Sequence, residues 1–163
     1  AGERPAPKPQ PLSVKLVKAV KVAILLGIVA QTMLPEILPI SAEPFGLRVV
    51  GVVLYTAGLL IAVIARFQLD NNWSDIETAQ VLSHQQVVSN GIYGYVRHPI
   101  YVGDILLLLG LELSLNSWLV VGVALMTPVI LLQATREEKK LVETLPGYDV
   151  YCQQTKRFIP FVV

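Results

Sequence analysis

Two short polar clusters carry most of the chemistry this sequence can offer. One is Arg97-His98, with the phenols of Tyr93, Tyr95 and Tyr101 around it; the other is the adjacent carboxylate pair Glu137-Glu138. An imidazole exchanges a proton near neutral pH, and a guanidinium fork matches a carboxylate. Paired carboxylates accept hydrogen bonds from ammonium and ribose-type hydroxyl groups. Brought together, these groups would hold a small zwitterionic, hydroxyl-bearing molecule. A structural role fits the same residues: Arg97 as a snorkelling anchor, Pro99 as a helix first-turn residue, Tyr101 as an interfacial aromatic, and the glutamates paired with neighbouring lysines. Residue type alone leaves both readings open.

Other chemistry is excluded more simply. A single cysteine, Cys152, allows no intramolecular disulfide and no Cys-rich metal site; it is expected as a small buried or interfacial side chain, and no metal is predicted. A net charge of +1 lacks the cationic surplus needed along a phosphate backbone, so nucleic acid is not an expected partner. The 163 residues fit one domain. With 53% hydrophobic residues and a mean hydropathy of +0.58, the expected solvent is lipid. No internal repeat is visible.

The clusters need elements to position them. Residues 1–11 are Pro-rich and read as a flexible polar lead-in. Residues 12–67 hold two apolar spans. The first, Leu12 to Leu34, carries Lys15, Lys18 and Lys21 near one helix face, where they are expected to snorkel to headgroups, and it closes at Pro35 and Pro39. The second, Phe45 to Phe67, offers Gly46, Gly51 and Gly58 as places for close helix approach. Residues 68–163 begin with a polar stretch up to Arg97, too long for an idle connector, in which Trp73 is expected at the headgroup level. Pro99 then opens an apolar arm, Ile100 to Leu115, which breaks at Asn116-Ser117 and returns as Trp118 to Leu132. Each arm falls short of the roughly twenty residues of an untilted crossing. Glu112, inside the first arm, requires a partner or a water-lined surface. Beyond Gln133 the chain becomes amphipathic and predicts a cytosolic helical tail against the membrane face. The fold class is therefore all-α: an integral membrane helical bundle of about four transmembrane helices, with a C-terminal helical hairpin and an amphipathic tail.

Lysines and arginines gather before the first span, at Arg66 and Arg97 and in the tail, whereas the 35–44 connector carries Glu36 and Glu43 and the hairpin turn carries no charge. Both termini are thus expected on the cytoplasmic side. A hairpin that leaves that side after Pro99 and returns before Arg136 must deliver Arg97-His98 and Glu137-Glu138 to one membrane surface.

The run Gly91-Ile92-Tyr93-Gly94-Tyr95-Val96-Arg97-His98-Pro99-Ile100-Tyr101-Val102-Gly103 resembles the signature of the isoprenylcysteine carboxyl methyltransferase and phospholipid methyltransferase group. Asn72-Trp73-Ser74 ahead of it, Glu137-Glu138 with Leu141 behind it, and Tyr148, Tyr151 and Phe158-Ile159-Pro160 extend the resemblance over about 66–160. It implies S-adenosylmethionine as cofactor, and the sequence agrees in having no Gly-rich strand-to-helix turn of the dinucleotide-binding kind. By resemblance, Tyr93, His98, Pro99, Ile100 and Tyr101 line the cofactor pocket, Glu137 and Glu138 bind from the other side, and Gln85, Gln86, Val87 and Val88 contribute mainly backbone. That last segment stands where the family reads His-x-Leu-Val; His84 lies one position early. Arg97, His98 and Arg136 are the candidates for catalysis. Prenylcysteine enzymes carry an arginine four positions before the first glutamate, where this chain has Gln133, with Arg136 nearby.

Methyl transfer to a prenylcysteine-type carboxylate on a lipid-tailed substrate is the first functional reading. The alternatives are N-methylation of a phospholipid amine, a non-catalytic small subunit packed against other membrane proteins through its Gly- and Val-rich spans, and an NADPH-dependent sterol-type reductase. Expected partners are membrane lipids and a lipid-like or prenylated substrate.

Overall fold

The computed structural model describes residues 12–34, 38–70 and 86–160. Among them the regular elements are helical: α1 (Leu12–Met33), α2 (Phe45–Leu69), a single 3-10 turn (Gly91–Gly94), α3 (Pro99–Ser114), α4 (Leu119–Thr144) and α5 (Tyr148–Gln154). The lead-in 1–11, Trp73 and its neighbours, His84 and Gln85 lie outside the described residues, as do the side chains of Lys15, Lys18 and Lys21. The chain divides into two units, 1–35 and 36–163. The first consists of α1, whose half from Val22 to Met33 is apolar.

In the second unit, α2 and α3 run antiparallel in close contact. Their glycines set the approach. Gly51, Gly58 and Ala65, seven residues apart, form the buried face of α2, and Gly103 and Gly110, also seven apart, answer them on α3. A Cβ at Gly103 would come within 2.7 Å of the Ala62 nitrogen; one at Gly58 or Gly110 would run into the backbone of the facing helix. Small residues repeated every two turns let two backbones touch, which replaces the hydrophobic drive that lipid does not supply.

The outward faces point the other way. α2 and α4, of 25 and 26 residues, are long and apolar enough to cross a membrane, with mean hydropathies of 2.3 and 1.7 over their apolar windows, and only 11% and 6% of those windows is buried inside the protein. Val49, Val53, Leu60, Leu125, Met126 and Val129 stand exposed. In water such surface would be untenable; in acyl chains it is the natural lining, and the chain is an integral membrane protein. α3 has 16 residues, about 24 Å of helix, shorter than a hydrocarbon core of about 30 Å.

The hairpin turn holds its shape through a polar clamp. Asn116 takes a left-handed backbone conformation (φ 55°). Its Oδ1 accepts from the Ser41 amide at 3.1 Å and its Nδ2 donates to the Ser41 carbonyl at 2.8 Å. The Ile40 amide donates to the Asn116 carbonyl, and the Trp118 amide to the Leu38 carbonyl, both at 3.0 Å. Asn116 and Ser117 are each only 1% exposed, so a turn without charge is still a turn whose polar groups are satisfied. Buried polar groups require such partners.

One boundary differs from expectation. The amphipathic stretch from Arg136 to Val142, expected as part of a separate tail on the membrane face, is the continuation of α4, which runs unbroken to Thr144. No glycine or proline interrupts 129–144, and Arg, Glu and Lys are good helix formers. The helix stops only at Leu145-Pro146-Gly147, where Gly147 adopts φ 81°.

Substituting Gly103 by Ala should lower the thermal unfolding midpoint in detergent, at a cost of about 1–3 kcal/mol for overpacking. Gly46→Ala, where a Cβ meets open space, should be neutral or slightly stabilising through helix propensity. Equal responses from the two variants would refute the close-packed interface.

Candidate functional site

The end of the second unit opposite the Asn116 clamp gathers the C-terminus of α2, the segment 91–98, the start of α3 and the C-terminal half of α4. Gln68, at the end of α2, accepts the Ile92 amide on its Oε1 at 2.9 Å. Its side chain lies where a Cβ on Gly91 would fall, and Gly91 has φ 57°, so glycine is required there on two counts. Residues 95–98 then pair along the C-terminal segment: the Lys156 amide donates to the Tyr95 carbonyl at 3.0 Å, Arg97 to Lys156 at 2.8 Å and His98 to Arg157 at 3.2 Å. The Tyr151 hydroxyl donates to the Tyr93 carbonyl at 2.7 Å. Leu145, Tyr148 and Tyr151 form a buried cluster beneath this strap, with Val87, Leu141 and Cys152 against it.

The two polar clusters do meet, around Glu138. Arg97 Nε donates to Glu138 Oε1 at 2.7 Å, and His98 Nε2 lies within hydrogen-bonding distance of the same oxygen, at 3.0 Å. Arg157 Nε and Nη2 each approach Oε2 at 2.8 Å. The remaining reach of Arg97 goes to the carbonyls of Cys152, at 3.1 Å, and Thr155. Glu137, the next residue on α4, accepts the Tyr101 hydroxyl at 3.0 Å. The His98 ring lies between Tyr101 and Phe158, with centroids 5.5 and 5.7 Å away. Pro99 is fully buried at the first turn of α3.

Glu138 stands on the polar extension of α4, beyond its apolar stretch. Burial opposes its charge, but the hydrogen bonds from His98 and Arg97 outweigh that and hold its carboxyl down at about 2. Burial likewise works against the Arg97 charge, and the hydrogen bond and charge of Glu138 more than compensate, raising its affinity for the proton. Tyr93 behaves differently. Burial, then Tyr151 and Glu137, push its phenol well above the usual range. It is 5% exposed, and its hydroxyl has no hydrogen-bond partner among the described residues. Among the described residues this is a buried phenol without an acceptor, electrostatically coupled to Glu137, and a buried hydroxyl ordinarily takes a partner.

Of the residues singled out from the sequence, Arg97, His98, Tyr101, Glu137 and Glu138 are joined directly. Pro99 and Ile100 sit at the base of α3 beside them. Val87 packs its side chain against the tyrosine cluster. Tyr95 and Arg136 are exposed, and Arg136 takes no part in the Glu138 cluster. The residues not anticipated are Arg157, Gln68 and the Thr155 carbonyl. Arg157 could have been suspected only from its place beside Phe158-Ile159-Pro160, because its carboxylate partner lies beyond α5.

A helical membrane protein with a buried Arg-His-Glu knot at one end of its bundle is thus defined. Residues 47–146 match the phospholipid methyltransferase family, and the chain belongs to that family. Among solved structures, that of the eukaryotic intramembrane Ras methyltransferase, an isoprenylcysteine carboxyl methyltransferase, is similar, with 25% sequence identity and a TM-score of 0.63 over 71% of this chain. The match covers 43% of that protein, so this chain spans less than half its length. No curated protein matches the chain.

The low carboxyl value of Glu138 fixes the sign of an acid response. Its stabilising contribution is complete above its ordinary value of 4.5 and is lost as pH falls through about 2. Acid titration in detergent followed by tryptophan fluorescence should show a transition in that window, and Glu138→Gln should remove it. A wild-type titration without such a transition would contradict the knot.

Proposed function

We propose that this protein is an S-adenosylmethionine-dependent methyltransferase acting on a lipid-tailed acceptor at the membrane surface. The observation that carries the reading is the meeting of the signature corner with the glutamate pair: Tyr101 on Glu137, His98 on Glu138, and a Tyr93 hydroxyl that has no hydrogen-bond partner among the described residues and is electrostatically coupled to Glu137. When bound, S-adenosylmethionine supplies a methyl group on a sulfonium, which a nucleophile takes by in-line displacement. Glu137 is suited to accept hydrogen bonds from ammonium or hydroxyl groups, Tyr93 and Tyr101 to orient polar atoms, and His98 to face the reactants from a fixed ring position. The chain's main contribution is positioning. Lipid-facing α2 and α4 keep the acceptor's tail in the bilayer while its head reaches this polar end, where little water competes.

The same end carries Arg66, Arg97, Arg136, Lys139, Lys140, Lys156 and Arg157, and the clamp end has Glu43 and Arg48. That asymmetry supports a cytoplasmic site and cytoplasmic termini.

Two acceptor classes follow from different observations. A carboxylate of prenylcysteine type is supported by likeness to the Ras methyltransferase and by exposed Arg136 at the site end. An amine of a phospholipid is supported by family membership and by the engagement of Arg97 and Arg157 with Glu138, which leaves neither of those guanidinium groups to receive a substrate carboxylate. For an amine, His98 or Glu137 would take the proton.

Purified wild-type protein in detergent should bind radiolabelled S-adenosylmethionine, and Glu137→Ala should reduce binding by roughly 10–100-fold with an unchanged unfolding midpoint. Incubation with a membrane lipid extract, followed by mass spectrometry and mild base treatment, separates a labile methyl ester from a stable methylamine. Absence of cofactor binding by the wild type would refute the reading.

A further inference from the structure

Glu138 and Glu137 are neighbours in sequence, yet the structure gives them different jobs. Glu138 receives four close donor approaches on its two oxygens: Arg97 Nε and His98 Nε2 on Oε1, Arg157 Nε and Nη2 on Oε2. An ionised carboxylate has about four lone-pair sites, so no capacity remains for a ligand, and its side chain is only 7% exposed. Glu137 accepts a single hydrogen bond among the described residues, from Tyr101.

We propose that Glu138 and Arg157 are positioning residues, through which the C-terminal segment 155–158 fixes the orientation and tautomer of the His98 ring, leaving Glu137 as the acid that meets the ligand. A carboxylate engaged by two guanidinium groups can only accept, so the proton on His98 is directed to Nε2. Nδ1 is left as the ring nitrogen that Glu138 does not engage. Arg97 fixes one edge of the carboxylate and is itself tied to the Cys152 and Thr155 carbonyls. Arg157 fixes the other edge. Its backbone carbonyl also receives the His98 amide at 3.2 Å, so one residue of the strap holds both ends of His98: the amide directly, the ring by way of Glu138. Phe158, next along the strap, lies against the ring itself. The inference rests on the methyltransferase reading for its effect on cofactor binding, and on geometry alone for its effect on His98.

Arg157 is the useful probe, because its side chain is 36% exposed and its removal leaves the backbone pairing of 95–98 with 156–157 in place. The experiment uses full-length protein labelled with 15N-histidine in detergent, in a His84→Gln background so that His98 is the one imidazole observed. Multiple-bond proton–nitrogen correlation reads which ring nitrogen carries the proton, and S-adenosylmethionine affinity is measured by calorimetry on the same samples. The Nε2-protonated tautomer is expected in the parent. Arg157→Ala should shift or broaden the His98 signals and weaken S-adenosylmethionine binding by roughly 10–100-fold, in a protein that still folds but with a lowered unfolding midpoint. Arg157→Lys, which keeps the charge but not the planar fork, should recover part of both effects. Glu138→Gln is the second route to the same displacement should Arg157→Ala fail to fold.

Unaltered His98 signals in these variants would overturn the proposal, even if affinity fell, because the loss would then have bypassed the ring. Altered His98 signals with unaltered affinity would overturn its claim on the cofactor site. If the parent bound no S-adenosylmethionine, the methyltransferase reading would fall, and the ring signals would decide the positioning claim separately.

Discussion

The polar end of this protein depends on one buried carboxylate. Glu138, sunk among helices and strap, must be ionised to receive Arg97, His98 and Arg157, and they must surround it for the charge to be tolerable there. Desolvation of a carboxylate is costly enough that a partial set of partners would leave it protonated or displaced. The carboxylate therefore requires the signature residues, α4 and the C-terminal segment to assemble together. Each supplies a donor or acceptor that the others cannot replace.

The rest of the unit serves that assembly. Glycine contacts between α2 and α3 hold Gln68 against the 3-10 turn, which aims Tyr93 and delivers Arg97 to its position. At the far end, Asn116 pairs with Ser41 and fixes where α4 begins. Because α4 then runs unbroken to Thr144, that starting point sets where Glu137 and Glu138 arrive many turns later. A continuous helix, even with Pro128 inside it, carries such a register where a jointed tail would not. The continuity of α4 is thus part of the site, although its length exceeds what its apolar stretch alone would define.

Adjacent glutamates point about 100° apart on a helix, and this explains how one sequence pair serves two purposes. Glu138 turns inward to the strap and is saturated. Glu137 turns toward Tyr101, from which it accepts one hydrogen bond among the described residues, and it is the carboxylate proposed to meet the ligand. A membrane methyltransferase has little acid-base work to do when its acceptor is already anionic, so rigidity of the first neighbours matters more than a perturbed base. The buried knot supplies that rigidity without occupying Glu137, the group proposed to face the ligand.

Much of this was legible in the residues. Apolar runs, prolines and a charge-free Asn-Ser break mark the spans and the hairpin, because lipid demands helices and turns at predictable lengths, and a hairpin obliges Arg97-His98 and Glu137-Glu138 to share a surface. The signature around Arg97 pointed to the family by its pattern. Sequence could not distinguish Glu137 from Glu138, assign Arg157 to the knot, or exclude Arg136 from it, because each of those outcomes depends on helix rotation and on how the strap pairs with residues 95–98. Composition and local pattern act through the nearest turn of chain and the surrounding solvent; which donor reaches which oxygen is decided by contacts between segments far apart in sequence, and these exist only once the helices have packed.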